Sequence, residues 1–448
     1  MSSAIETIAG WSHGANDFPP RARRRAIDAI ADTIGCMVAG VDDFSTRALR
    51  RAVGAQISAA GDSPVIGGGR APAAIAALVN GTAAHALDYD DNFQPAYSHA
   101  SAVLVPALLA AAAPLAVSGR ALVDAYLVGL EAQAAIGLGV NPAHYTVGWH
   151  STSTCGAIGT AAGVSRLLGF DAAATARAMS MAVSSAAGIK GQFGTPAKPF
   201  HAGMAARNAV EAAALGSAGL TGRLDILEAP QGFRDLFGGP DAKGWDDMTL
   251  ARPLTIEGHG VIPKRHPCCG STHYVVDMVL DLRARHGFSA GDVASIECVV
   301  GIANALNLCY PDPQDEMQAR FSMQYCVALA LQQERLSLAD FTLAQIARPE
   351  IRALLTLTNM TAHSREQERA GRRLPHQVVI WLRDGTVLQA ERLHAKGSIA
   401  DPFDDRDRAA KFADCCERLG GDTTYVLYDN LMRLDAQPDL NFLAPMFG

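Results

Sequence analysis

Three features of the sequence predict a mainly α-helical chain in two domains. Alanine-rich runs with apolar residues every three to four positions recur from Arg23 to Leu220. A connection studded with glycine and proline follows, from Leu224 to Lys264. Beyond it the pattern shifts to Val- and Ile-rich alternation, and a helical tail then returns. The prediction is a large, discontinuous all-helical domain (1–264 and 400–448) with a smaller α+β lid domain inserted at 265–399.

The elements follow in order. Residues 23–40 place Ile27, Ile30, Ala31, Ile34, Met37 and Val38 on one helical stripe. Residues 73–87, entered through Pro72, form a second helix that ends in Asp88-Tyr89-Asp90-Asp91. The longest apolar run, 103–117, contains Pro106 and Pro114 and falls short of the roughly 20 residues a membrane span needs. It reads as a buried helix broken or started at a proline. Helices are expected over 120–140 and 156–168, and over 171–187, which opens on an acidic N-cap. Another runs over 204–220 to a stop at Thr221-Gly222. The loop before it, between Gly194 and Gly203, is stiffened by Pro196 and Pro199 and holds Lys198 and His201 near a helix N-terminus. In the inserted domain the pattern predicts a helix over 271–286, a strand over 294–302, and helices over 321–333 and 336–347. A hairpin pairs 376–383 with 386–393 around Asp384-Gly385. Residues 404–434 are helical again.

A chain of 448 residues has room for two domains and a large core. Its 49% hydrophobic and 19% charged residues are those of a soluble globular enzyme. A net charge of −7 and a pI near 6.0 point away from nucleic-acid and anionic-membrane partners. The start, Met1-Ser2-Ser3-Ala4-Ile5-Glu6, lacks the basic and apolar regions of a signal peptide. Nine cysteines without a C-x-x-C spacing then predict free thiols in a reducing cytoplasm. Cys268-Cys269 and Cys415-Cys416 are poor metal-ligand sets and read as buried small hydrophobes.

The chemistry gathers at helix ends. Asp88, Asp90 and Asp91 lie just beyond a helix whose last turn holds His85. A solvated terminal turn is the plain alternative, although carboxylates are electrostatically disfavoured at a helix C-terminus. His99, His150 and His273 each stand in a polar stretch entering a helix. A lone histidine is usually structural, whereas three histidines and a lysine at helix mouths suggest a site. No Walker A loop, strand-borne G-x-G-x-x-G, H-E-x-x-H or G-x-S-x-G motif is present. Proton transfer by His, Asp, Lys or Tyr and cationic binding of an anionic substrate remain, with no metal or organic cofactor expected.

Several of these stretches together resemble the MmgE/PrpD family. They are Ala84-His85-Ala86-Leu87-Asp88-Tyr89-Asp90-Asp91, Gly148-Trp149-His150, Lys198-Pro199-Phe200-His201-Ala202-Gly203, Lys264-Arg265-His266-Pro267-Cys268-Cys269-Gly270 with His273, and Phe321-Ser322-Met323-Gln324-Tyr325. They occur in the family's order and span nearly the whole chain. The family includes 2-methylcitrate dehydratases, cis-aconitate decarboxylases and an iminodisuccinate epimerase. The resemblance implies a helical domain, an α+β lid, a homodimer and cofactor-independent chemistry. Carried over to this chain, the family's active site falls on Asp88, His99, His150, Lys198, His273 and Tyr325. Asn92 and Ala100 stand where the family often has Thr or Ser and Pro, which leaves the substrate open.

The expected function is a lyase, a dehydratase or decarboxylase, acting on a small di- or tricarboxylate. An epimerase of a substituted dicarboxylate is the alternative, and a carboxylate-binding helical dimer the non-enzymatic one. Lys198, helped by Lys264, Arg265, Arg207 or His201, is expected to bind substrate carboxylate. His150 is the first choice for proton transfer and His273 the second, with Asp88, His99 and Tyr325 joining them in one pocket between helical domain and lid.

Overall fold

The computed structural model describes residues 2–239, 241–250, 253–369 and 373–448. It is 59% helical with 8% strand, a mainly α fold with a small mixed sheet. The chain forms two compact units. The first comprises Met1–Gln192, Pro196–Pro263 and Arg408–Gly448, and the second Phe193–Thr195 with Lys264–Asp407.

The first unit is built from helices that pack closely because their contact faces are small. Every residue of helix Ala100–Ala112 is buried. Pro106 lies inside that helix and neither breaks nor starts it, contrary to the expectation. The proline forfeits one backbone bond, and packing on all sides holds the helix together. Helix Gly119–Val140, where the sequence predicts a helix over 120–140, is long and apolar enough to cross a membrane. Here 83% of its apolar window is buried inside the protein, so it serves as a core helix. A Cβ on Gly129 would lie 3.2 Å from the Gly163 Cα, and one on Gly159 would lie 2.4 Å from the Gln133 nitrogen. Helices Gly119–Val140 and Thr154–Leu167 thus meet at contacts that only glycine allows.

Helices Ala73–His85 and Ala197–Ser217 meet in the same way. A Cβ on Gly203 would lie 2.2 Å from the Leu78 carbonyl oxygen, and one on Gly81 would lie 2.9 Å from the Gly203 Cα. This close pair matters for the site, because one helix ends at His85 and the other begins at Ala197. The second helix starts seven residues before its expected position at 204. Lys198 and His201 therefore sit within its opening turns rather than on a preceding loop. Pro199 is accommodated in the first turn, where its missing N–H would have no partner anyway.

In the second unit, strand Val293–Val300 pairs in parallel with Thr358–Ala362 and antiparallel with His376–Leu382, which pairs with Val387–Arg392. The last two strands turn at Asp384-Gly385, where Gly385 takes φ 90°. Val378 and Ile380 point into a core with helices Gly270–His286 and Met323–Gln332. The helix expected over 336–347 is replaced by a 3-10 turn, Leu338–Asp340, and one helical turn, Leu343–Ile346. The Thr342 hydroxyl accepts the Gln345 N–H and caps the start of the second, so a new helical turn begins there.

Candidate active site

In the first unit, four histidines, three aspartates and a lysine gather where helices Ala73–His85 and Ala197–Ser217 converge. Past His85 the chain turns sharply through Asp88, which adopts a left-handed φ of 51°. A non-glycine residue held in that region is strained and marks a position fixed by its surroundings. Asp90 and Asp91 follow, both buried.

His85 Nδ1 lies 2.8 Å from Asp90 Oδ2. The carboxylate accepts that N–H, so Nε2 carries the lone pair, and among the described residues Nε2 has no hydrogen-bond partner. His99 Nδ1 donates to the Asp91 carbonyl at 2.7 Å. His150 Nδ1 and His201 Nδ1 share one hydrogen bond of 3.2 Å. The His85 ring stands 4.6 Å from that of His99 and 5.7 Å from that of His150, centroid to centroid. The Lys198 ammonium donates to Asp88 Oδ1, and both side chains are 2% exposed.

Burial governs the electrostatics. It holds His85 below the usual imidazole value despite the pull of Asp90. It lowers His150 further, helped by the neighbouring Lys198 ammonium. His201 is brought down to about 4, again chiefly by burial. The Asp91 carboxyl is pushed up to about 7 by burial, against its bond from Ser101. Near neutral pH the site therefore presents neutral imidazoles beside a lysine–aspartate pair.

Supporting contacts come from outside the cluster. Lys411, from helix Asp405–Cys415, donates to the Tyr89 carbonyl at 2.7 Å and pairs with Asp32 at the same distance. The returning C-terminal segment thus pins the aspartate turn. His144 donates to the Phe237 carbonyl at 2.9 Å and accepts from Thr154 at 2.6 Å, fixing the stretch that carries His150. The backbone N–H of His150 donates to Gly188 at 3.1 Å, and a Cβ on Gly188 would lie 3.3 Å from the His201 ring.

Of the residues expected from the sequence, the structure brings Asp88, His99, His150, Lys198 and His201 together. It adds His85 and Asp90, which share a motif with Asp88 and are joined by a hydrogen bond. Arg207 does not belong to this group. It lies nine residues from Lys198 on one helix, about 13 Å along the axis and two and a half turns round. Its guanidinium instead bonds Asn208 Oδ1 at 3.1 Å.

The second unit holds a polar cluster of its own. His273 Nε2 donates to the Cys268 carbonyl at 3.2 Å. His266 Nε2 bonds Asp277 Oδ1 at 3.1 Å, and Arg265 Nη1 reaches the same oxygen at 2.8 Å. Burial alone would raise Asp277, but His266 and Arg265 outweigh it and hold the carboxyl low. Lys264 opens this unit and is buried. Tyr325, expected among the catalytic residues, is buried in the second unit. Its hydroxyl donates to the Asp340 carbonyl at 2.6 Å, its ring packs edge-on to Phe341, and it lies in the hydrophobic core.

His85, Asp88, Asp90 and His99 offer donor atoms within 4.8 Å of one another, a set whose chemistry suits a divalent metal. The sequence spacing did not reveal it. The Lys198 ammonium already donates to one of those carboxylates.

A family model described as the MmgE/PrpD N-terminal domain matches residues 6–245, and the MmgE/PrpD C-terminal domain matches 266–425. The chain is 29% identical to the cis-aconitate decarboxylase of Homo sapiens over 84% of this chain and 80% of that protein. It is 27% identical to the cis-aconitate decarboxylase of Mus musculus over 99% and 93%. A cis-aconitate decarboxylase of Aspergillus terreus is 26% identical over 62% of this chain and 61% of its own. Two domain models that together run from residue 6 to residue 425 place this chain in the MmgE/PrpD family.

Proposed function

We propose that this enzyme is a cofactor-independent decarboxylase of a small tricarboxylate, cis-aconitate or a close analogue. The observation that carries the reading is the buried cluster of neutral imidazoles around the Lys198–Asp88 pair. The relatives named cis-aconitate decarboxylase support the substrate class.

The chemistry is an allylic shift. The bond to a carboxylate on the methylene carbon breaks, and its electron pair forms a new C=C. The old alkene carbon takes up a proton, giving CO2 and a methylene-substituted dicarboxylate. Substrate carboxylates brought against Lys198 favour cationic neighbours and raise the affinity of the nearby imidazoles for protons. His150, neutral in the free enzyme, then becomes the donor, with His85 held in one tautomer by Asp90. His273 is assigned a supporting part from its motif. Lys198 supplies the positive charge that a metal would otherwise bring. Dialysis against a strong chelator should therefore leave turnover unchanged, and a loss restored by one metal would refute this. A homodimer in the cytoplasm completes the proposal.

The test is cis-aconitate incubated with the enzyme in heavy water and followed by NMR. One deuterium per product molecule with equimolar CO2 is the expected result. Exchange without CO2 would instead identify an epimerase, water addition or loss a dehydratase, and silence a binding protein.

A further inference from the structure

Away from the histidine cluster, the first unit carries a cavity of about 520 Å³ lined by Arg47, Arg50, Arg51 and Arg418, with Val41 at its wall. Three of these arginines come from helix Phe44–Ala52, at spacings of three and four residues that put them on one face. Arg418 comes from the 3-10 turn Glu417–Leu419, far along the chain. In a protein of net charge −7 this is a local concentration of positive charge. The one acid in the lining, Asp42, stands 3.7 Å from Arg418 and is 73% exposed.

The four guanidinium groups are not equivalent. Arg50 is committed: it donates to the carbonyls of Ile66, Gly67 and Gly68 and ties the glycine turn to the helix. A Cβ on Gly67 would lie 2.8 Å from Val41, so that turn is fitted closely against the cavity wall. The side chains of Arg47 and Arg51 have no ion-pair or hydrogen-bond partner among the described residues. Arg51 gains from the negative end of its helix, whereas Arg47 lies further from that end and repels Arg51 across one turn. A fixed arginine, two unpaired ones and a fourth from another element, arranged around a cavity, match the forked geometry that guanidinium groups offer to carboxylate and phosphate.

We propose that this cavity binds a small polyanion, a molecule with two or more carboxylate or phosphate groups, at a site separate from the histidine cluster. The proposal does not depend on which reaction the enzyme catalyses.

The test is isothermal titration of the full-length protein at low ionic strength, with pyrophosphate in one arm and tricarballylate in the other. Wild type should bind pyrophosphate, and Arg47→Ala/Arg51→Ala should raise the Kd at least about ten-fold. Arg418→Ala, from a different element, should weaken binding in the same sense. A tricarballylate event present in wild type and lost in the double variant would assign the site to carboxylates as well. A thermal melt of each variant checks that these exposed substitutions leave the fold intact. Failure of wild type to bind either anion, or a Kd unchanged in both variants, would overturn the proposal.

Discussion

Lys198 and Asp88 are each 2% exposed, so removing either partner leaves a charge stranded away from water. Lys198→Ala is therefore expected to destabilise the protein by about 3–5 kcal/mol, beyond any weakening of substrate binding. Asp88→Asn/Lys198→Met, which removes both charges, should recover much of that loss in a denaturant titration; a double variant as unstable as the single one would contradict the pairing. This differs from the simple substrate-binding role read from the sequence, which could not reveal that the lysine is already held by a carboxylate 110 positions away. His150 is a different case, because it is neutral and its hydrogen-bond partner is another neutral imidazole. His150→Gln should melt close to wild type while kcat falls by about 10²–10⁴-fold. A near-normal kcat would move the role to His85 or His273. The depressed affinity of His150 and His201 for protons also predicts proton uptake when a polyanion enters the site. Binding enthalpies measured in buffers of different ionisation enthalpy should differ by that uptake, and identical enthalpies would refute it.

At the scale of elements, the site exists because two helices approach through Gly81 and Gly203. Gly203→Ala places a methyl group into the Leu78 carbonyl and the Thr82 side chain, so the helices must separate. Overpacking of this kind costs about 1–3 kcal/mol, and the shift should pull Lys198 from Asp88 and lower turnover as well. Normal stability and normal rate together would show that the close contact is not needed. The helices themselves were legible from alanine periodicity: 73–87 and 120–140 were predicted, and Ala73–His85 and Gly119–Val140 are found. The start of the next helix is hidden in the sequence by Pro199, because a proline can end a helix or open one, and only the packing of Ala197–Ser217 decides. Strand Thr358–Ala362 passed unnoticed, since it is short and mostly exposed and owes its structure to pairing with Val293–Val300. The candidate site was legible in its motifs but not in its pairings. His85 and Asp90 sit five residues apart in a quoted motif, yet their bond depends on the turn at Asp88.

For the whole molecule, buried imidazoles set how stability responds to acid. His144, His201 and His376 are all brought down to about 4 by burial, and burial also lowers His85, His150 and His266. These six histidines lie in both compact units. Each stays neutral in the folded chain, whereas in the unfolded chain it takes up a proton near pH 6.5. Below that pH the unfolded state binds more protons, so stability falls with acidification until the folded values are reached. The buried carboxyl of Asp91 acts in the opposite sense. Raised to about 7, it is protonated in the folded chain over a range where the unfolded chain is ionised, and this favours the fold as pH drops from 7 toward 4. Burial raises Asp32, Asp124 and Glu131 as well, and they add to that offset. Six lowered histidines outnumber four raised acids, and the expected balance is a net loss. The melting temperature should therefore decline steadily between about pH 6.5 and 4.5. Asp91→Asn, which removes the main opposing group, should make the decline steeper without reversing it. A melting temperature that is flat or rising across that interval, or an Asp91→Asn variant with a shallower decline than wild type, would show that these histidines are not held neutral by the fold.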